Sequence, residues 1–85
     1  MPEEEIGVIV KYFAKPGVAA LEMQRGSIMA GDLLRFKGHT TDFMEEVSSM
    51  EVDNKPISEA KAGDLVGIKV KERVREKDRV YKVVG

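Results

Sequence analysis

The amino-acid sequence predicts a small all-β domain, a barrel or a sandwich built from five or six short strands. Two observations carry this prediction: apolar and polar side chains alternate over several short stretches, and turn-forming residues separate those stretches. A third observation is a repeated sequence motif. Ala30–Lys37 and Ala62–Lys69 both begin with a small residue and Gly-Asp and continue into an alternating stretch. Gly adopts positive φ without steric cost and Asp hydrogen-bonds nearby backbone groups, so Gly-Asp suits a tight turn that starts a strand.

The first half of the chain is predicted to form three strands. Residues 6–13 carry apolar side chains on both faces, which suits a closed or strongly curled sheet. Residues 15–17 (Lys-Pro-Gly) are a turn signal, because Pro fixes φ and Gly supplies the other half of the turn. Residues 18–23 return as the second strand, and residues 32–37 form the third strand after the first Gly-Asp turn.

The second half contains an ambiguous segment, residues 41–52. Its apolar residues at positions 43, 44, 47 and 50 lie on one helical stripe, but a strand with Ser48, Met50 and Val52 on one face also fits. Residues 57–61 can make at most one helical turn before the second Gly-Asp. Residues 65–72 form the clearest strand of the chain, and residues 80–84 form a last short strand.

Length and composition indicate one domain over residues 1–85. The chain is 42% hydrophobic and 34% charged, which is typical of a soluble globular protein. Its apolar runs are too short to span a bilayer, so no membrane contact is expected. The absence of Cys excludes a disulfide framework and a thiolate nucleophile, and it favours a reducing, cytoplasmic location.

The residue types predict no enzyme, no cofactor, no metal site and no nucleotide site. His39 is the single histidine, and no serine stands in a recognisable nucleophile elbow beside it in the sequence. The acidic residues lack the spacing of metal ligands, and no Gly-rich phosphate loop is present. His39 is expected to lie in a turn after Gly38, where it could contact a partner.

Charge is distributed unevenly along the chain. Residues 42–64 carry seven acidic and two basic groups, whereas residues 65–85 carry seven basic and three acidic groups. The basic residues lie at nearly alternate positions, so they could form a stripe that meets RNA phosphates or an acidic protein. A solvated edge that blocks strand pairing is the alternative interpretation. The residues expected to contribute most to binding are Lys69, Lys71, Arg73 and Arg75.

Two segments resemble the second domain of translational GTPases such as elongation factor Tu. The first is Arg25–Gly38, and the second runs from Val47 to Met50 and from Ile57 to Ile68, with Glu-Ala, Gly-Asp and a Gly-containing strand in order. The resemblance covers residues 6–84, and it implies a six-stranded, Greek-key-like antiparallel β-barrel with a strand within 41–52. The chain lacks the family's GTPase domain and has Lys77-Asp78 in place of a final Gly-Asp, which puts a contact there in doubt.

The resemblance implies a stand-alone elongation-factor-like protein of the kind found in archaea and thermophilic bacteria. The function that it implies is a non-catalytic module that contacts RNA, the ribosome or a translation-associated partner. A related barrel is also appended to some U32-type peptidases. The alternative is therefore a protein-docking domain associated with such an enzyme, which would use the loop 38–42 or an exposed strand edge.

Overall fold

The computed structural model describes residues 2–84, which form ten β-strands and no helix. In chain order the strands are β1 Glu3–Phe13, β2 Val18–Met23, β3 Ser27–Met29, β4 Leu33–Lys37, β5 Asp42–Glu46, β6 Met50–Val52, β7 Lys55–Ile57, β8 Glu59–Lys61, β9 Leu65–Lys69 and β10 Arg79–Val83. No helix within the described range is long and apolar enough to cross a membrane. The two end residues of the domain expected over 1–85 lie outside the described residues.

Eight strands form one antiparallel sheet in the order β5-β4-β10-β1-β2-β9-β6-β7, and β3 pairs separately with β8. The long β1 pairs with β10 along its first half and with β2 along its second half. Its register shifts between Glu5 and Gly7 and again between Ile9 and Lys11, as in β-bulges that bend a strand. The prediction of an all-β, antiparallel fold is confirmed.

The expected closed barrel of six strands is wrong, both in strand number and in closure. Over residues 2–84 the hydrogen-bonded ladder ends at β5 on one side and at β7 on the other. Beside β5, the backbone N–H of Lys71 donates to the carboxylate of Glu45 at 2.8 Å, so the segment after β9 contacts β5 through a side chain and not through ladder hydrogen bonds. At the other end β7 contains Pro56, which has no N–H to donate and is typical of an edge strand.

The segment 41–52 forms β5 and β6, so the strand interpretation is confirmed and the helical stripe is not used. The one helical turn that the sequence allows at residues 57–61 is not formed, because this segment completes β7 and forms β8. Ala60 is fully buried there and lies opposite Ile28 of β3. Pairing with a strand that is distant in the sequence therefore outweighs the weak local preference for a helical turn.

One hydrophobic core lies on the inner side of the curved sheet. Phe36 of β4 is its largest buried side chain, and its ring stacks on Phe43 of β5 with centroids 4.9 Å apart and planes inclined by 13°. Such offset aromatic pairs add stabilisation beyond the area they bury. The other large and fully buried side chains are Ile6, Ile9, Leu21, Met23, Ile28, Leu34, Val66, Ile68, Val74 and Val80.

Three tight turns with the same hydrogen bonds enter strands β4, β9 and β10. We call them the Asp turns: Met29–Asp32, Lys61–Asp64 and Arg75–Asp78. In each turn the Asp carboxylate accepts the backbone N–H of the residue three positions earlier, at 2.8, 3.0 and 2.8 Å. The Asp N–H in turn donates to the carbonyl of that same residue, at 3.1, 3.0 and 3.1 Å. The third residue of each turn has positive φ, as a type II turn requires: Gly31 at 95°, Gly63 at 98° and Lys77 at 76°.

Each Asp turn is also fixed to a buried core residue by two backbone hydrogen bonds. Ile9, for example, donates to the carbonyl of Asp78 at 2.8 Å and accepts from the N–H of Lys77 at 2.7 Å. Met23 and Val47 make the same pair of bonds to the second and the first turn. Lys77-Asp78 thus forms the same turn as the two Gly-Asp sequences, and the departure noted in the sequence does not change the backbone geometry.

An exposed ion-pair network links three strands near the start of the chain. The guanidinium of Arg35 on β4 donates to Glu3 of β1 at 3.0 Å and to Asp42 of β5 at 3.0 and 3.1 Å. The hydrogen bond to Glu3, followed by that to Asp42, raises the pKa of Arg35 above its ordinary value. This network helps to hold the β4–β5 pair beside the first residues of β1.

Candidate functional site

A groove runs across the outer face of β1, β2, β9 and β6. Its floor has small side chains, because Ala20 of β2 lies directly opposite Gly67 of β9. Both residues point outward, since their neighbours along each strand are buried in the core. The result is a depression of about 700 Å³ in the middle of an otherwise continuous sheet.

Large apolar side chains border this floor. Phe13 and Val18, which are paired across β1 and β2, stand on one side of the small residues along the strands, and Leu65 stands on the other side. Val52 of β6 adds a further apolar wall. Phe13 is 43% exposed and Leu65 is 55% exposed, so both large apolar side chains on this face remain in contact with water.

The charged residues that line the groove are all acidic. Glu51, Asp53 and Asp64 are the three carboxylates, and no Lys or Arg belongs to the lining within the described part of the chain. Asp53 and Asn54 form the two-residue β6–β7 turn with φ values of 53° and 64°, as in a type I′ hairpin that fixes the strand direction. Glu51 and Asp53, which we call the acidic rim, therefore lie on a short, well-defined hairpin, whereas the Asp64 carboxylate is bonded within the second Asp turn.

Basic side chains flank the other side of the groove without lining it. The Nζ of Lys11 lies over the Phe13 ring, 5.2 Å from its centroid. Lys69 lies opposite Val18 on the neighbouring strand. Charge is therefore separated along this face, with carboxylates near β6 and ammonium groups near the Phe13 end.

The structure separates the predicted basic residues into two places. Lys69 is the last residue of β9, whereas Lys71, Arg73 and Arg75 are exposed on the connection from β9 to β10. Arg73 and Arg75 come together with Tyr12 at a smaller surface depression of about 420 Å³, where Glu76 is a neighbour. The four side chains thus do not form a single stripe on one strand, because the chain leaves the sheet after Lys69.

His39 is exposed in the turn between β4 and β5. The turn is closed by a hydrogen bond from the Gly38 N–H to the Thr41 carbonyl at 2.8 Å, and Gly38 packs directly against the carboxylate of Asp78. His39 therefore lies at the same end of the molecule as the third Asp turn. Within residues 2–84, no group of three or more His, Asp and Glu side chains comes together in a way that could hold a metal ion.

Sequence reasoning did not identify the groove. The signal that could have indicated it is Gly67, a glycine in the middle of an alternating strand, which often marks a close approach of another chain or ligand. The alternation predicts that Leu65 and Phe13 lie on strands, but their exposure depends on how strongly the sheet curves. That curvature is a property of the whole fold.

Comparisons with known proteins point to proteases. No protein-family model matches the chain. The chain is 41% identical over 78 residues to an uncharacterized protease of Methanocaldococcus jannaschii, a match that covers 91% of this chain and 19% of that protein. It is 32% identical over 78 residues to a collagenase of Porphyromonas gingivalis, covering 91% of this chain and 22% of that protein. The chain thus spans about a fifth of the length of the curated relatives that it matches.

Solved structures share the fold. The C-terminal domain of a Geobacillus thermoleovorans protein assigned to the U32 peptidases superposes with a TM-score of 0.87 at 19% identity, covering 95% of this chain and 93% of that domain. The selenomethionine variant of that domain gives a TM-score of 0.84 at 19% identity, covering 91% and 96%.

The identification as an elongation-factor-like protein is therefore wrong. The matches in sequence are to proteases, and the matching fold is that of a peptidase domain. The resemblance to translation factors rested on the two Gly-Asp segments, and the structure shows both Asp residues satisfying the backbone of a tight turn. Such residues report how strands are connected and carry no information about a partner. The chain has the fold of a U32 peptidase C-terminal domain, and in sequence it is similar to about a fifth of two larger proteases.

Proposed function

We propose that the chain is a non-catalytic protein-binding module that works together with a U32-type peptidase. The observation that carries the proposal is the 41% identity to a protease of which the matched segment makes up only 19%. The likeness in fold to the C-terminal domain of a U32 peptidase supports the same conclusion. In this proposal the remaining four-fifths of such a protease supply the catalytic groups.

The position of His39 supports a role without catalysis. Hydrolysis of a peptide bond needs a nucleophile or an activated water held within hydrogen-bond reach of a base. His39 is exposed on a turn. Of the carboxylates near that turn, Asp42 is paired with Arg35, and Asp78 is buried against Gly38 and bonded to the Arg75 N–H. An Asp that satisfies the backbone of a turn has a structural role that fully accounts for it.

The groove supports protein binding. Peptide-recognition sites commonly combine an apolar depression with a few charged groups at its rim, and the face formed by β1, β2, β9 and β6 has both. A module of this kind would hold a polypeptide substrate near the catalytic part of the peptidase. It would therefore lower the KM for proteins and leave the turnover of short peptides unchanged.

The test uses the P. gingivalis collagenase, whose name gives its substrate. Three forms are compared: the whole enzyme, a form without the 78 residues that match this chain, and a chimera that carries residues 2–84 of this chain instead. We expect the deletion to raise the KM for collagen by about tenfold, equivalent to the loss of a weak docking contact, with unchanged kcat on a short peptide. The chimera should restore most of the lost affinity. Unchanged KM after the deletion, or hydrolysis of collagen by this chain alone, would show the proposal to be wrong.

A further inference from the structure

We infer that the groove binds an extended polypeptide segment in which a large apolar side chain is followed or preceded by Lys or Arg. This inference rests on the proposed function, because it names what the protein-binding module recognises. The bound polypeptide supplies one large apolar side chain, which we call the anchor, to the floor of the groove. It also supplies at least one cationic side chain to the acidic rim.

The apolar anchor is inferred from exposed area that the chain itself does not cover. Phe13 and Leu65 stand on either side of the floor, and each leaves about half of its side chain in water. Removing such surface from water is favourable in proportion to its area, so an apolar side chain placed between them gains from both walls. The volume of about 700 Å³ exceeds what a single leucine or phenylalanine side chain needs.

The small floor sets the size of the anchor. A Cβ added at Gly67 would lie 3.5 Å from a methyl carbon of Val18 and 3.8 Å from the Glu51 carbonyl oxygen, which are ordinary van der Waals distances. The floor therefore has space for additional carbon atoms, and Ala20 beside it extends that space across two strands. A branched or aromatic side chain would fill this space better than a small one.

The cation is inferred from charge complementarity. Within residues 2–84 the groove is lined by the carboxylates of Glu51 and Asp53 and by no basic side chain, since the Asp64 carboxylate is bonded to the Lys61 N–H. Glu51 lies opposite Gly67 at the floor itself. Lys or Arg beside the anchor would reach these carboxylates, whereas the phosphates of a nucleic acid would be repelled. This argument favours a basic polypeptide over RNA for this face of the molecule.

The acidic rim is already in position before binding. Glu51 is held in register with both Gly67 and Pro56, and the two-residue turn at Asp53 limits movement of the hairpin. A partner therefore loses little affinity to ordering of the groove. The flexible component is the bound segment, and its extended form suits a face made of strands.

The experiment measures binding of three fluorescein-labelled hexapeptides to the chain by fluorescence anisotropy at low salt. The first has the sequence Gly-Lys-Leu-Lys-Phe-Gly, the second has Glu in place of both Lys, and the third has Ser in place of Leu and Phe. We expect the first peptide to bind at least about tenfold more tightly than either of the others. Equal binding of the Lys and Glu peptides would overturn the inference, as would equal binding of the first and third peptides.

Matched surface variants locate the bound peptide. Leu65→Ser removes an apolar wall of the groove, and Met44→Ser makes the same type of change at an exposed apolar residue of β5, at the far end of the sheet. Glu51→Lys reverses a charge of the rim, and Glu46→Lys reverses an exposed charge of β5. We expect both groove variants to weaken binding by about tenfold and both β5 variants to stay within about twofold of the wild type. Equal losses in the two sets would contradict binding in the groove.

The two proposals can fail independently. Peptide binding that follows this pattern, together with a collagenase deletion that leaves the KM unchanged, would refute the role in a peptidase and retain the groove. The opposite outcome is a deletion that raises the KM, together with a Leu65→Ser chimera that restores it as well as the unmodified chimera does. That outcome would support the role in a peptidase and refute binding in the groove. Circular dichroism of each variant confirms that the fold is intact.

Discussion

Replacing Asp78 by alanine tests whether the Asp turns stabilise the fold. The carboxylate of Asp78 accepts the Arg75 N–H at 2.8 Å, and the residue is only 4% exposed. Alanine would remove a hydrogen bond to a charged acceptor and leave the Arg75 N–H without a partner in a partly buried site. Such a bond contributes about 1.5–3 kcal/mol, so we expect the free energy of unfolding to fall by about 2 kcal/mol.

The assay is urea and thermal unfolding followed by far-ultraviolet circular dichroism. For a domain of this size, a loss of about 2 kcal/mol lowers Tm by about 8–16 °C. Glu76→Ala is the matched control, because Glu76 lies in the same turn, is exposed and should change stability by less than about 0.5 kcal/mol. Asp64→Ala should fall between the two, at about 1 kcal/mol, since water can reach the N–H that it leaves free. If the Asp78 variant were as stable as the Glu76 variant, the stabilising role of the carboxylate would be refuted.

Three further outcomes are expected. Gly7→Ala should lower the free energy of unfolding in urea by about 2–3 kcal/mol, because the added Cβ would overlap the backbone carbonyl of Glu22 on the paired strand. A variant as stable as the wild type would show that β1 can move away from β2. Phe36→Ala should cost about 3–5 kcal/mol by the same assay, and a loss below about 1 kcal/mol would show that the core collapses around the cavity. RNA binding by the exposed basic residues between β9 and β10 stays a prediction. A labelled single-stranded RNA should bind at about 50 mM salt and lose most of its affinity when Arg73 and Arg75 are both changed to Glu. Absence of binding by the wild type would contradict this prediction.

Strands with clear signals at both ends could be predicted from the sequence. β2 was predicted with the bounds that the structure has, because a Pro-Gly turn precedes it and alternation continues to Met23. The short strands β7 and β8 could not, because three residues carry too little pattern to outweigh a local helical preference. β7 exists because the two-residue turn at Asp53 brings the chain back onto β6, and β8 exists because β3 offers a partner that is distant in sequence.

The third Asp turn shows the limit of searching for a motif by residue identity. The sequence does not match Gly-Asp here because residue 77 is Lys. Lys77 nevertheless adopts a φ of 76°, a conformation that non-glycine residues seldom take. The apolar spacing was preserved, since Val74 and Val80 flank Asp78 as Ile28 and Leu34 flank Asp32. Buried apolar residues at matching positions thus identify the third turn better than the Gly-Asp identity does, but their burial is visible only once the fold is known.

The candidate site was harder to predict than the strands. Alternating charge indicates Lys71 and Arg73 as binding residues, whereas the groove consists of ordinary strand residues that the curved sheet leaves exposed. Whether Leu65 is buried or exposed depends on which strands pair at the ends of the sheet, and local alternation does not determine that pairing. The same reasoning explains why closure of the sheet was predicted incorrectly.

The position of β10 has a consequence for how the chain reaches its native state. Arg79–Val83 is the last strand in chain order, yet it lies between β1 and β4 and joins the β4–β5 pair to the rest of the sheet. Until it inserts, β1 and β4 each present an unpaired edge that could associate with another molecule. Insertion also closes a loop of most of the chain, which makes folding slow compared with that of a helical domain of equal length. Self-association during refolding should therefore increase with protein concentration, and it should cease once the last strand has docked.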